Sequence, residues 1–270
     1  MEQRRNTLDM TIGKPIKIIL IFAIPLLIGN LFQQFYNLAD TMIAGYTLGD
    51  ESISAIGSTS SFYSLIINIA FGFNSGYSIV ISKFFGKKDD TNLRKSILYS
   101  FILNFIIGIL LTTFMVICLK PMMRLINVPN EIFDSTYAYF IIICSFIFTS
   151  VLYNMFASIM RSLGNSRIPL YFLIASSVLN ILGDLLFVKV LGLGIKGLAL
   201  STGISQTLCA LVSGLYFFIS YKEILPKRSN FLAIVESLAM VSKRYSVIKF
   251  RMVNRSTSSK EVILVLIKNY

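Results

Sequence analysis

IPLYFLIASSVLNILGDLLFVKV, residues 168–190, is an apolar run that holds one acid, Asp184, a turn beyond the amide of Asn180. A tilted helix needs about 20 residues to cross a bilayer, and this run has them. An ionisable group in hydrocarbon costs about 2.5–3.5 kcal/mol on insertion scales, so an acid kept there faces a bundle interior or a wet cavity. A second acid, Asp40, stands in the same position in the first apolar run, beyond Gln33, Gln34, Tyr36 and Asn37. Of the chain's thirteen acids, these two lie deepest in apolar sequence. Two such carboxylates on different helices define a candidate site.

Composition supports the same class. Hydrophobic residues make up 55% of the chain and charged residues 14%, with a mean hydropathy of +0.72, outside the range of ordinary soluble domains. The expected fold is all-α and integral to a membrane. A net charge of +12 would suggest nucleic acid in a soluble chain, but here the bases cluster between apolar runs, where topology and anionic lipid account for them. Membrane lipids are therefore expected partners and nucleic acid is not. Cys118, Cys144 and Cys209 lie in or beside apolar runs without paired spacing, which indicates neither disulfides nor zinc. The chain has no His, so His-based catalysis, metal ligation and proton relay are excluded.

Six runs of spanning length fall at about 16–45, 52–82, 96–119, 132–159, 168–190 and 195–220. The first follows Arg4, Arg5, Lys14 and Lys17 and lacks a small-residue cleavage site, so it reads as a retained helix. Lys and Arg number fourteen in the even set of connections, including Lys83, Lys87, Lys88, Arg94, Lys95, Arg161 and Arg167. The opposite set holds four, Lys120, Arg124, Lys189 and Lys196. That bias predicts a six-transmembrane-helix bundle with both the N-terminus and the end of the sixth span cytoplasmic. The expected organisation is a cytoplasmic N-terminal segment, 1–15, a transmembrane lobe, 16–226, and a basic cytoplasmic tail, 227–270. The tail has only short apolar pieces such as Phe231–Val235 and Val262–Ile267, a composition aberrant for a further span. Pro25 predicts a bend in the first span. Pro121 and Pro129 are expected to bracket a loop, and Gly72 with Gly76 to mark close helix packing.

Helix rise converts topology into depth. Asp184 is sixteen residues beyond Ile168, about 24 Å at 1.5 Å per residue, with Asn180 one turn below on the same face. Asp40 follows a comparable climb, with Tyr36 one turn beneath it. Tyr139 and Thr202 each lie about 10 Å inside the opposite ends of their spans. Side chains from four helices thus reach similar depth. Carboxylate, amide and hydroxyl oxygens suit a hard monovalent cation such as Na⁺, and desolvated paired carboxylates can instead take protons.

At these residues the chain resembles the N-terminal six-helix lobe of the multidrug and toxic compound extrusion (MATE) family. The resemblance rests on IGKPIKIILIFAIPLLIGNLFQQFYNLADTMIAG (12–45), SAIGSTSSF (54–62), GFNSGYSIVISKFFGKKD (72–89), MRSLGNSRIP (160–169), NILGDLLF (180–187) and GLGIKGLALSTGISQ (192–206). It implies a multi-pass protein of the cell membrane, an antiporter that exports organic cations in exchange for Na⁺ or H⁺, with no other cofactor. It further implies that Asp40, Asn180, Asp184 and Thr202 form the cation site, with Na⁺ as the metal there. Tyr36 and Tyr139 would belong to its hydrogen-bond network, and Gln33, Gln34 and Met155 would face the substrate cavity. Family members carry a second six-helix lobe that this sequence does not show. A truncated half-transporter is therefore expected, completed by a second half or a second copy if it works.

Three other readings compete with this one. A lipid-linked oligosaccharide flippase would line its cavity with bases, and none is placed deep by the sequence. An intramembrane aspartyl protease needs Tyr-Asp and Gly-x-Gly-Asp, whereas Ala39 precedes Asp40 and Ile181 stands where the first glycine belongs. The expectation is not an enzyme. A non-transporting membrane fragment is the third.

Overall fold

The computed structural model describes residues 14–226, and both flanking segments, including the basic tail at 227–270, lie outside the described residues. Seven α-helices follow in order: α1 (Pro15–Leu48), α2 (Asp50–Gly86), α3 (Asp90–Leu125), α4 (Asn130–Ser145), α5 (Ile147–Ser162), α6 (Arg167–Asp184) and α7 (Gly194–Ser220). No strand occurs among the described residues. Five helices are long and apolar enough to cross a membrane, and α4 with α5 form a sixth span if the 43° bend between them is counted as a break within it. The fold is that of an all-α membrane bundle.

The connections are short because their residues allow abrupt reversals. Gly49, at φ 84°, is the entire link between α1 and α2. At the start of α3 the Asp89 carboxylate accepts the backbone N–H of Asn92 at 3.1 Å and its side-chain amide at 2.6 Å. These bonds hold the Asp89 carboxyl below the usual carboxylate range and cap the helix.

Several elements depart from the sequence reading. The span expected at 132–159 is two helices that meet at Phe146. Thr149 and Ser150 hydroxyls both donate to the Phe146 carbonyl, at 2.8 and 3.2 Å, beside the Ser150 N–H at 3.2 Å, and the Phe146 N–H turns to the Ile143 carbonyl at 3.1 Å. The Phe146 ring also lies where a Cβ on Gly203 of α7 would stand. Pro121 does not end α3, which runs on to Leu125. The run expected as one helix at 168–190 is α-helical only to Asp184 and continues as a π-helix, Leu185–Val190. Gly72 and Gly76 are exposed, and a Cβ on either would meet nothing within 4 Å, so they mark an open face rather than a tight seam.

Lipid gives helices no hydrophobic reward for associating, so close approach of small residues and hydrogen bonds must hold the bundle. α7 shows this best. It buries Gly197, Ala199, Ser201, Gly203, Ser205, Ala210, Ser213 and Gly214 against α4, α5 and α6. At the Lys-rich end, Phe101, Phe156, Phe217 and Phe218 pack with ring centroids 5.9–6.0 Å apart. Outward-facing Phe105, Leu110, Phe114 and Ile117 give α3 a lipid-facing surface.

Gly203→Ala drives a methyl into the Phe146 ring. We expect it to lower the apparent melting temperature of the detergent-solubilised chain by several degrees, for a cost of about 1–3 kcal/mol. Adding Phe146→Ala should restore part of the loss, read by circular dichroism on heating.

Candidate functional site

The α6–α7 seam sets the site. A Cβ on Gly183 would stand 2.5 Å from the Ser201 hydroxyl, and one on Gly197 would stand 3.1 Å from the Phe187 backbone. The two bare positions let the helices touch, and Ser201 Oγ then donates to the Asn180 carbonyl at 2.7 Å. This contact brings Thr202 opposite the Asn180 side chain. With its amide assigned so that both ends are matched, Asn180 donates to Asp40 Oδ1 at 2.7 Å. Its oxygen accepts from the Thr202 hydroxyl and backbone N–H, each at 3.2 Å.

Asp184 lies behind this group and is fully buried. Neither of its carboxylate oxygens has a hydrogen-bond partner among the described residues. It is near enough to Asp40 for the two charges to interact directly. Tyr36 stands beside Asp40 and Thr202, and Tyr139 is within reach of both acids. The six residues that sequence depth aligned therefore meet at one place. No group of three or more His, Cys, Asp or Glu stands together among the described residues, so the charged donors here are two carboxylates and the rest are neutral oxygens.

Asp40, Asn180, Thr202, Tyr36 and Tyr139 line a cavity of about 620 Å³ that runs between α1, α2 and the core of α5–α7. Gln33 and Gln34 also line it, from the exposed side of α1. Met155 does not. It is buried in the apolar cluster with Phe156, Met160 and Phe217, because its position on α5 faces α7 and the Lys-rich end of the bundle.

Two features were missed by the sequence reading. The first is a second polar layer. Ser150 bonds Gln206, Thr207 Oγ1 donates to Thr149 Oγ1 at 3.3 Å, and Tyr63 stands beside Ser150 and Gln206. Gln206 falls one turn after Thr202 on the same face, and that spacing was the available signal. The second is Arg161, expected in a loop but placed among the cavity-lining residues. Asp40 is the single acid and Arg161 the single base in that lining.

Comparison with known proteins is consistent with this geometry. The family model described as MatE matches residues 25–186. The chain is 31% identical over 202 residues to the probable multidrug resistance protein YoeA of Bacillus subtilis, covering 73% of this chain and 43% of that protein. It is 25% identical over 196 residues to the multidrug export protein MepA of Staphylococcus saprophyticus, covering 73% and 44%. Among solved structures, an outward-facing conformation of a multidrug resistance MATE family transporter superposes with a TM-score of 0.74 at 27% identity, over 88% of this chain and 55% of that one. A MATE crystal structure in the bent conformation gives 0.74 at 27% identity, over 81% and 50%. The chain thus spans about half the length of these relatives.

The two acids differ in access, and chemistry should report it. A membrane-permeant carbodiimide is expected to modify Asp40, which is half-buried on the cavity wall, well before fully buried Asp184. Peptide mass spectrometry over a time course of labelling reads the order.

Proposed function

The chain belongs to the MatE family, and on that premise we propose that it is the cation-binding lobe of a membrane antiporter that exports organic cations in exchange for Na⁺ or H⁺. The observation that carries the reading is the meeting of Asp40 and Asp184 in a group whose other members are neutral oxygens. Two negative charges, one half-buried and one fully buried, are costly together without a cation nearby, and anything that neutralises them is bound strongly. Asp40, Asn180, Asp184 and Thr202 supply the oxygens a Na⁺ would take as cargo, and the two orphaned Asp184 oxygens are free to serve it. A proton does the same work by removing the charge. Tyr36 stands beside Asp40 on α1, and Tyr139 of α4 lines the same cavity.

Ion and organic cation then compete for one set of charges. A substrate cation in the cavity is attracted to Asp40 only while the coupling ion is absent. Each therefore favours release of the other, which is the thermodynamic content of exchange. Gln33 and Gln34, with the Ser and Asn side chains of the cavity wall, supply neutral polar contacts that tolerate many solute shapes.

The opposing wall of the pathway is assigned to a second six-helix half or a second copy of this chain, because the cavity is bounded by one lobe and a relative matched over only 44% of its length is a multidrug export protein by name. The membrane is the cytoplasmic one, with the Lys-rich loops inside, where anionic headgroups attract them.

Export of a fluorescent cationic dye from cells expressing this chain tests the reading. Asp184→Asn and Asp40→Asn should each slow dye loss about tenfold or more at equal membrane abundance. Wild-type and Asp184→Asn cells that retain dye equally would sink the exporter assignment and leave the fragment reading standing.

A further inference from the structure

α2, α3 and α5 all pack against one another, and the space they share holds polar side chains that cation exchange does not use. Asn74 of α2 is 2% exposed and Asn104 of α3 is 1% exposed, and neither lines the large cavity. Asn104 Nδ2 donates to the Ser100 carbonyl at 2.8 Å, which leaves its Oδ1 without a donor among the described residues. Asn74 has the opposite need, because its Nδ2 has no acceptor there. It belongs to the stretch GFNSGYSIVISKFFGKKD (72–89), to which the exchange reading gives no role.

Helix register brings the two amides to one level. α2 and α3 form a hairpin about Lys88, with Asn74 fourteen residues before it and Asn104 sixteen after, about 21 and 24 Å along their helices at 1.5 Å per residue. α5 runs antiparallel to α3, since Gly108 faces Phe148 and Val151 while Phe101 meets Phe156 with ring centroids 5.9 Å apart. Asn104 falls between those two contacts. From α5, the Ser158 hydroxyl reaches the same level and donates to the Asn74 carbonyl at 3.3 Å. Its one proton is committed there, so Ser78 is the donor in the 2.6 Å pair between Ser78 and Ser158. Ser158 Oγ keeps a second lone pair. An unmatched donor, an unmatched acceptor and a free lone pair, from three helices, thus converge among the short side chains of Ser78, Ser100 and Ser158.

We propose that Asn74, Asn104 and Ser158 bind one buried water molecule, which joins α2, α3 and α5. The water accepts from Asn74 Nδ2 and donates one proton to Asn104 Oδ1 and the other to Ser158 Oγ, about the three bonds usual for an internal water. Its partners are neutral and include both a donor and acceptors, a set that water matches and a cation or an anion does not. An amide left unmatched inside a membrane bundle is costly, and the shared water removes that cost from two helices at once. The inference goes beyond the exchange reading and does not depend on it, since Asp40 and Asp184 take no part.

Nuclear magnetic resonance on the full chain in maltoside micelles, with isotope-labelled asparagine, tests this. The Asn74 side-chain amide is assigned by its loss in Asn74→Leu. In the wild type it should show a rotating-frame cross-peak to water of dipolar rather than exchange sign, the mark of a long-held neighbour. Asn104→Leu should remove the cross-peak, and Asn104→Ser, which keeps a hydroxyl acceptor and disturbs the fold less, should retain part of it. Each Leu variant should lower the apparent melting temperature by about 5 °C, and the double variant should lose less than the sum, because the second change removes a group already left unmatched. A cross-peak that is missing in the wild type or unchanged in Asn104→Leu overturns the water site. Additive losses in the double variant overturn the sharing between Asn74 and Asn104. Less-than-additive losses without any water cross-peak mean a direct bond between the two amides, which overturns it as well.

Discussion

Helices in lipid are not pushed together by water, so a seam that brings two of them into backbone contact has to be built from missing side chains. Gly183 and Gly197 are those absences at the α6–α7 seam. Their effect extends past packing. The Ser201 bond to the Asn180 carbonyl fixes the rotation of one helix against the other, and that rotation presents Thr202 to the Asn180 amide. Only then does the amide have a nitrogen left to give Asp40. The polar group is thus a consequence of two glycines, and a methyl at position 183 would disturb a carboxylate on a different helix.

The same seam explains why Asp184 tolerates having no hydrogen-bond partner among the described residues. The α-helical ladder ends at Asp184 and gives way to a π-helix, a form found mostly as single wide turns at functional positions. A buried acid left unpaired is a reservoir of unfavourable energy that an arriving cation or proton releases.

Much of this was legible in the sequence because membrane helices impose simple arithmetic. Uniform rise and alternating direction were enough to bring Tyr36, Asp40, Tyr139, Asn180, Asp184 and Thr202 to one level. What the arithmetic lacks is rotation about each helix axis. Met155 is at a plausible height but faces α7, and Gly72 and Gly76 have the spacing of a packing motif but face outward. Arg161 was counted as a topology signal and turned out to line the cavity, since a residue at a helix end can satisfy both roles. The break at Phe146 was invisible because no Pro or Gly causes it; two hydroxyls and a ring on Gly203 do, and that contact is tertiary.

α1 is held differently from the other spans. Its apolar stretch is only 11% buried within the described residues, against 44% for α7, so packing constrains it least of the spans. It meets α6 chiefly, and α2 and α7 more lightly. At the polar level it is tied to the core by the Asn180 amide on Asp40 and by Tyr36 beside Thr202. A hydrogen bond to a carboxylate is about twice as strong as one to a neutral group, so that tie weakens when Asp40 is neutralised by an ion or a proton. The helix least held by packing is thus also the one that carries Asp40. α1 also lines the cavity through Gln33, Gln34 and Tyr36, so the exchange proposed at Asp40 would act on a wall of the same cavity.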